Sequence, residues 1–338
     1  MSRIRWSLLA AGLLLALGVV PLLGNDYLFS AILIPFLTFA LAGLGLNILT
    51  GYAGQLSLGS AAFMATGAFA AYNFQLRIPG LPLLASFTLG GLTAAAIGVV
   101  FGLPSLRIKG FYLIVSTLAA QFFVQWALTK FPWFSNDNPS GVISAPPLRI
   151  AGYDFGSPRG RYLLTLTSVS VLTLLARNLL GSQTGRRFMA VRDMETAARV
   201  TGIPILRTKL LAFAISSFYC GVAGALWAFC YVGTVEPHGL DLNRSFQVLF
   251  IIIIGGLGSV SGSFLGAAFL VLLPVFLDRA ARALFEGSVD AGNLENAQKL
   301  LFGTLILFFL TKEPEGLARL VGSTWQRLGV AWSRARAA

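Results

Sequence analysis

Residues 181–209 read GSQTGRRFMAVRDMETAARVTGIPILRTK, a charged interlude between two long apolar runs. It is the one long internal stretch crowded with charge, carrying Arg186, Arg187, Arg192, Asp193, Glu195, Arg199, Arg207 and Lys209. The runs beside it, 162–180 and 208–233, are close to the roughly 20 apolar residues that cross about 30 Å of hydrocarbon. Charge gathered in one short segment between such runs marks the place where a membrane chain surfaces. Within the segment, Asp193 is expected to N-cap a short helix whose first turn carries Glu195, where an acid suits the helix dipole. Gly202 suits the position after that helix, and Pro204 cannot continue it. Ala197 and Ala198 are small enough to leave one face open to a close-packed surface, so the helix reads as a docking element. The plainer alternative is a solvated loop that obeys the positive-inside rule.

Composition extends that reading to the whole chain. Its 338 residues are 56% hydrophobic and 11% charged, against about 25% charged in soluble domains, and the mean hydropathy is +0.77. Apolar runs recur from end to end, and alternating barrel strands are absent. The fold class is therefore all-α: a polytopic helical membrane protein with Gly-rich breaks and a cytoplasmic coupling helix. About ten segments fit: 7–24, 28–50, 55–76, 82–104, 111–130, 162–180, 208–233, 245–257, 262–277 and 297–311. Residues 2–25 resemble a signal peptide but lack a small-residue cleavage site, so they are read as an uncleaved first span. With the N-terminus inside, the inner segments hold 16 of the 25 Lys and Arg residues and 4 of the 13 acids. All of the +12 formal charge then falls on one face, which places both termini in the cytoplasm. The tail, 312–338, becomes a basic cytoplasmic segment. The same asymmetry explains a pI near 10.3 without nucleic acid.

Two stretches interrupt the apolar pattern in the same way. Gly51–Phe63 (GYAGQLSLGSAAF) and Gly255–Phe269 (GGLGSVSGSFLGAAF) both open G-x-x-G, pass through small polar residues and end in Phe. They form a weak parallel repeat, and Gly51, Gly54, Gln55, Ser57, Ser60, Gly255, Gly258, Ser259 and Ser261 are candidates to line a solute path. Simple helix packing is the plainer account. The span after Arg244 is short, so the second break is also compatible with mid-membrane depth. Neutral groups such as Asn47, Gln121, Gln125, Gln247 and Ser263 complete the polar set inside the spans.

Outside, 131–161 is a proline-rich loop, and 233–244 carries Glu236, His238, Asp241 and Arg244. Glu236, Asp241 and Arg244 are candidate contacts for an extracytoplasmic partner. Cys220 and Cys230 fall on one helix about 15 Å apart, too far to bond. His238 is the only histidine, which excludes a histidine-based zinc site, and no metal or cofactor is expected. There is no phosphate loop, HExxH or GxSxG motif. The span interiors hold essentially no ionisable residue, although ion-coupled carriers usually place such groups there. A transporter built this way must draw its energy from another chain.

Met194–Gly202 (METAARVTG) resembles the EAA signature of ABC importer permeases, where an acid, two alanines and a later glycine form the ATPase-docking helix. RDMETAARVTGI is similar to the LivM type of branched-chain amino acid importers, although Thr196 separates Glu195 from the alanines. The resemblance also covers Gly51–Tyr72 and Gly255–Leu270. It implies a permease domain over 1–311, with 181–209 as coupling loop and Arg192, Asp193, Glu195, Ala197, Ala198 and Gly202 as coupling residues. It further implies a sister permease subunit, two cytoplasmic ABC ATPase subunits, an extracytoplasmic solute-binding protein and a bacterial inner-membrane location. No enzymatic chemistry is expected of the chain itself. The expected solutes are branched-chain or related amino acids. Family members commonly carry Ser-x-Glu where this chain has Ser245-Phe246-Gln247. A permease for urea or a short amide, and a stand-alone secondary carrier, remain alternatives.

Overall fold

The computed structural model describes residues 20–21, 24–105, 111–138, 140–150 and 153–284, with scattered positions between 296 and 320. Of the first expected span, 7–24, only residues 20, 21 and 24 are described; the last, 297–311, is described at scattered positions, and the basic tail only over 316–320. Ten helices carry the rest: α1 (Leu28–Tyr52), α2 (Ser60–Arg77), α3 (Leu83–Ser105), α4 (Phe111–Lys130), α5 (Pro158–Gly181), α6 (Gln183–Asp193), α7 (Glu195–Val200), α8 (Ile205–Val232), α9 (Leu242–Gly255) and α10 (Val260–Leu284). Six of them, α1, α3, α4, α5, α8 and α10, are long and apolar enough to cross a membrane. The remaining two expected spans, α2 and α9, are helical as well. However, α2 begins at Ser60 rather than residue 55, because the first break leaves the helix, and α9 is only 14 residues long.

The bundle is apolar inside and out, as a helix set surrounded by lipid should be. Leu92, Val100, Phe122, Phe123, Val171 and Phe276 are exposed on its flanks, while Phe39, Phe63, Phe69, Phe87, Phe213 and Phe229 fill the centre. With lipid tails as apolar as leucine, close packing rather than water exclusion must hold such helices together. Glycines allow it: Gly67 of α2 and Gly90 of α3 lie backbone to backbone, and α8 joins them through Gly221 and Gly224, which oppose Gly67 and Met64. Asn136 and Asp137 both have positive φ, at 57° and 58°, in the turn after a short 3₁₀ segment, Pro132–Ser135.

The two outer segments are joined rather than separate. Within 131–161, β1 (Ile143–Ser144) pairs antiparallel with β4 (Thr234–Val235), and β2 (Arg149–Ile150) with β3 (Tyr153–Asp154). Nor is 233–244 an ordinary solvated connection. Val235, Pro237 and Leu240 are buried, and the Leu240 carbonyl accepts from Gln121 Nε2 at 3.1 Å.

Candidate functional site

The charged segment folds as two helices. Ser182 caps α6 by accepting from Thr184 N at 3.2 Å, so α6 runs through to Asp193. Asp193 therefore does not cap the short helix as expected. Its carboxylate takes Arg192 Nε at 2.8 Å, and extended Met194 holds the N-cap position of α7. Glu195 does sit in the first turn, where it is bonded to Lys209 Nζ at 2.9 Å and paired with Arg199 at 3.6 Å. The stop is the expected one. Gly202 has φ +81, Ile203 N donates to Ala198 O and Gly202 N to Arg199 O, both near 3.0 Å, which is the Schellman arrangement. The two alanines part company: Ala198 is 3% exposed and packed inward, whereas Ala197 is exposed. Beside Ala197 the outer face carries Met194, 62% exposed, and Val200, 89% exposed. Neither was a candidate on sequence grounds, and the signal available was an apolar residue inside an otherwise charged segment.

Arg192 stays exposed along its length, but its guanidinium reaches the end of the bundle. Its Nη1 donates to the Gly51 carbonyl at 2.7 Å. Gly54, at φ +69, has no room for a side chain, since a Cβ there would lie 2.8 Å from Arg192 Cγ. The second break lies against the same place. Asn47, near the end of α1, accepts from Gly258 N at 2.8 Å and donates to Ser259 O at 2.8 Å and Ser263 Oγ at 3.0 Å. A Cβ on Gly258 would come within 3.4 Å of Arg192 Nη1. Both breaks thus meet at one end of the bundle, directly under α6. Ser259 caps α10 by accepting from Gly262 N at 3.1 Å and lies 3.0 Å from Ser261 Oγ. Gly255 is packed on Gly262, which makes it a helix-packing residue.

From that meeting point the first break climbs into the bundle. Gln55 N bonds back to Leu49 O at 3.0 Å, Ser57 Oγ accepts from Gly59 N at 3.2 Å, and Leu58 N donates to Thr117 Oγ1 at 3.0 Å. The first turn of α2 is then capped from other helices. Ala61 N donates to Ser245 Oγ at 2.9 Å and Ala62 N to Gln121 Oε1 at 2.6 Å, while Ser245 Oγ donates to the same Gln121 oxygen at 3.1 Å. Ser245 lies about 15 Å along α9 from Gly255, at 1.5 Å per residue. The Ser245 end of short α9 is thus held against the start of α2. Gln55 is 3% exposed, yet neither polar atom of its amide has a partner, and Ser60 Oγ has none either. Each unpartnered buried polar group costs about 1–3 kcal/mol.

The expected outer contacts also separate. Glu236 is exposed and borders a cavity of about 240 Å³. Asp241 caps α9, accepting from Arg244 N at 3.2 Å. Arg244 is turned inward, with its guanidinium carbon 5.3 Å from the Trp227 ring and 5.9 Å from Phe39. His238 reaches Gln125 at 2.9 Å. Cys220 and Cys230 are buried and form no disulfide.

Against this geometry the family comparisons can be placed. Residues 28–310 match the family model for the branched-chain amino acid transport system permease component. The high-affinity branched-chain amino acid transport system permease protein LivM of Escherichia coli (strain K12) is 30% identical over 304 residues, covering 82% of this chain and 67% of that one. A probable branched-chain amino acid transport permease protein LivM of Methanocaldococcus jannaschii is 24% identical over 334 residues, 86% of this chain and 93% of its own. The autoinducer 2 import system permease protein LsrC of Enterobacter sp. (strain 638) is 30% identical over 211 residues, 61% of this chain and 58% of that one. No solved structure gave a significant match. With more than four-fifths of its length matched, the chain is a multi-pass permease subunit of an ABC importer and belongs to the family of branched-chain amino acid transport system permease components.

Proposed function

We propose that this subunit imports branched-chain or closely related amino acids across a bacterial inner membrane, with both termini cytoplasmic. A sister permease, two cytoplasmic ATPases and an extracytoplasmic binding protein complete the importer, as the resemblance implies. The observation that carries the mechanism is the bond from Arg192 to the Gly51 carbonyl. It ties the helix pair that would face the ATPases to the first glycine break, and Asn47 ties that break to the second. In this reading Met194, Ala197 and Val200 form the surface that docks on an ATPase. ATP binding draws the two ATPases together, moves α6 and α7, and through Arg192 shifts the breaks between closed and open forms. Gln55, Ser57 and Ser60 then line a neutral path, which passes a zwitterion without holding it tightly. The unpartnered polar atoms of Gln55 and Ser60 in the closed form favour a change of state, because a passing solute or water would give them partners.

The test is uptake by the complete importer in proteoliposomes with internal ATP. Leucine, isoleucine and valine are offered beside urea and a pentose. ATP-dependent accumulation of the amino acids alone is the expected result. Accumulation of urea in their place would make the chain an amide permease of the same architecture. Accumulation without ATPases, driven by an ion gradient, would overturn the importer reading entirely.

A further inference from the structure

The second break is also held from the far end of the chain. Among the described tail positions, Gly316 is buried, Leu317 and Ala318 are half-buried, and Arg319 and Leu320 are exposed. Gly316 lies against Gly256, sixty residues earlier in sequence. A Cβ at position 316 would come within 2.6 Å of Gly256 N, 2.7 Å of Gly256 Cα and 2.7 Å of Ile254 O. These are backbone atoms, which cannot swing aside as the end of a side chain does. Gly316 also has φ +65, a left-handed conformation that disfavours any residue with a Cβ. Gly256 is buried and has φ +118, and a Cβ on Gly262 would lie 2.8 Å from its carbonyl oxygen. Three glycine backbones thus meet at Gly256. Asn47 and Arg192 reach the same break two residues on, at Gly258.

We infer that residues 316–320 are a strap that holds the second break in its closed arrangement, with Gly316 as the positioning residue. The inference rests on the reading of the two breaks as the gate and adds a third restraint to it. Asn47 and Arg192 tie the breaks to each other and to α6, so they travel with the coupling machinery. The strap comes from outside that machinery, so the break opens only by sliding past it or lifting it. Contact between bare backbones suits that purpose. It fits closely in one arrangement, as small residues allow, and has no interlocked side chains to withdraw when the break moves.

The test is thiol accessibility in the whole importer in nanodiscs, without ATP. Ser263→Cys places a reporter at a buried position beside Asn47. Its labelling by a charged maleimide is read above the signal of the buried Cys220 and Cys230. Gly316→Ala adds only the Cβ and should speed labelling at position 263 by about tenfold, one strained left-handed position being worth about that factor. Gly303→Ala, where a Cβ meets nothing within 4 Å, should leave the parental rate. Gly316→Asn tolerates the left-handed conformation yet carries the same Cβ, so it should label as fast as Gly316→Ala. A chain ending at Thr311 removes the strap without any clash and should also label faster, which serves if the substitutions assemble poorly. A parental rate in Gly316→Ala, in Gly316→Asn or in the shortened chain would overturn the strap, as would an equal rise in Gly303→Ala. The readout contains no solute, so it is independent of the amino-acid reading, which stands or falls with leucine uptake by the parent. The gate reading is tested separately, by solute moved per ATP in Arg192→Met.

Discussion

Arg192 and Gly51 are 141 residues apart in sequence, and the Arg192 guanidinium donates to the Gly51 carbonyl at 2.7 Å. One end of that bond belongs to the charged helix pair and the other to an interrupted transmembrane helix. If force passes through it, Arg192→Met should leave ATP hydrolysis running while uptake falls, lowering solute moved per ATP by about tenfold, within the usual range of coupling energies. Gly54→Ala should act similarly by pressing a methyl on Arg192 Cγ. Simultaneous measurement of hydrolysis and uptake in proteoliposomes checks this, and an unchanged ratio in both variants would mean the bond only fastens the helix.

The two alanines of α7 now predict opposite outcomes. Val200→Asp changes an exposed side chain, so thermal stability should hold within about 0.5 kcal/mol. ATPase retention on co-purification should nevertheless fall, by roughly thirtyfold in affinity if Val200 is an anchor worth about 2 kcal/mol. Ala197→Glu should act in the same direction. Ala198→Glu instead buries a charge and should lower the melting temperature before docking is affected. A Val200→Asp complex with its full complement of ATPases would remove this face from consideration.

The difference between these residues marks how far the sequence could be read. Helix positions, the Gly202 stop and the kinship of the two breaks follow from local pattern: apolar length, a glycine before a proline, and a repeated G-x-x-G. What escaped depends on partners far along the chain. A six-residue helix has too few turns to reveal which alanine faces inward, and Asp193 lost its capping role because Ser182 had already started a helix that continues through it. Arg192 and Arg244 read as surface cations because nothing local announces the Gly51 carbonyl or the Trp227 ring. Likewise Ser245 and Thr117, which cap and tether the start of the α2 region, could not be distinguished from other hydroxyls on apolar helices.

Asn47 is expected to be the structural clamp between the breaks. Asn47→Leu strips partners from Gly258 N and Ser259 O, which at about 1–3 kcal/mol for each orphaned group should destabilise the complex visibly. Asn47→Asp keeps the acceptor for Gly258 N but loses both donations. It should fall between parent and Asn47→Leu in uptake. Thermal unfolding in detergent beside uptake assays measures both, and parental stability in Asn47→Leu would show that the breaks do not need the clamp.

Gln55 offers the sharpest separation of stability from function. Its amide is buried without partners, and if this arrangement is the closed form of the proposed cycle, it costs free energy that only another state can return. Gln55→Leu keeps similar bulk and removes both unpartnered atoms, so the closed form should gain about 1–3 kcal/mol and the apparent melting temperature should rise by roughly 2 °C or more. The same change takes an amide out of the path and holds the closed form more firmly, so uptake should fall although the ATPases remain bound. Gln55→Glu, at the same position, should lower stability by burying a charge. Stability that rises while uptake falls is the signature of a residue kept for transport. If Gln55→Leu lowers the melting temperature, the amide has a partner that it needs, and the path does not run past it.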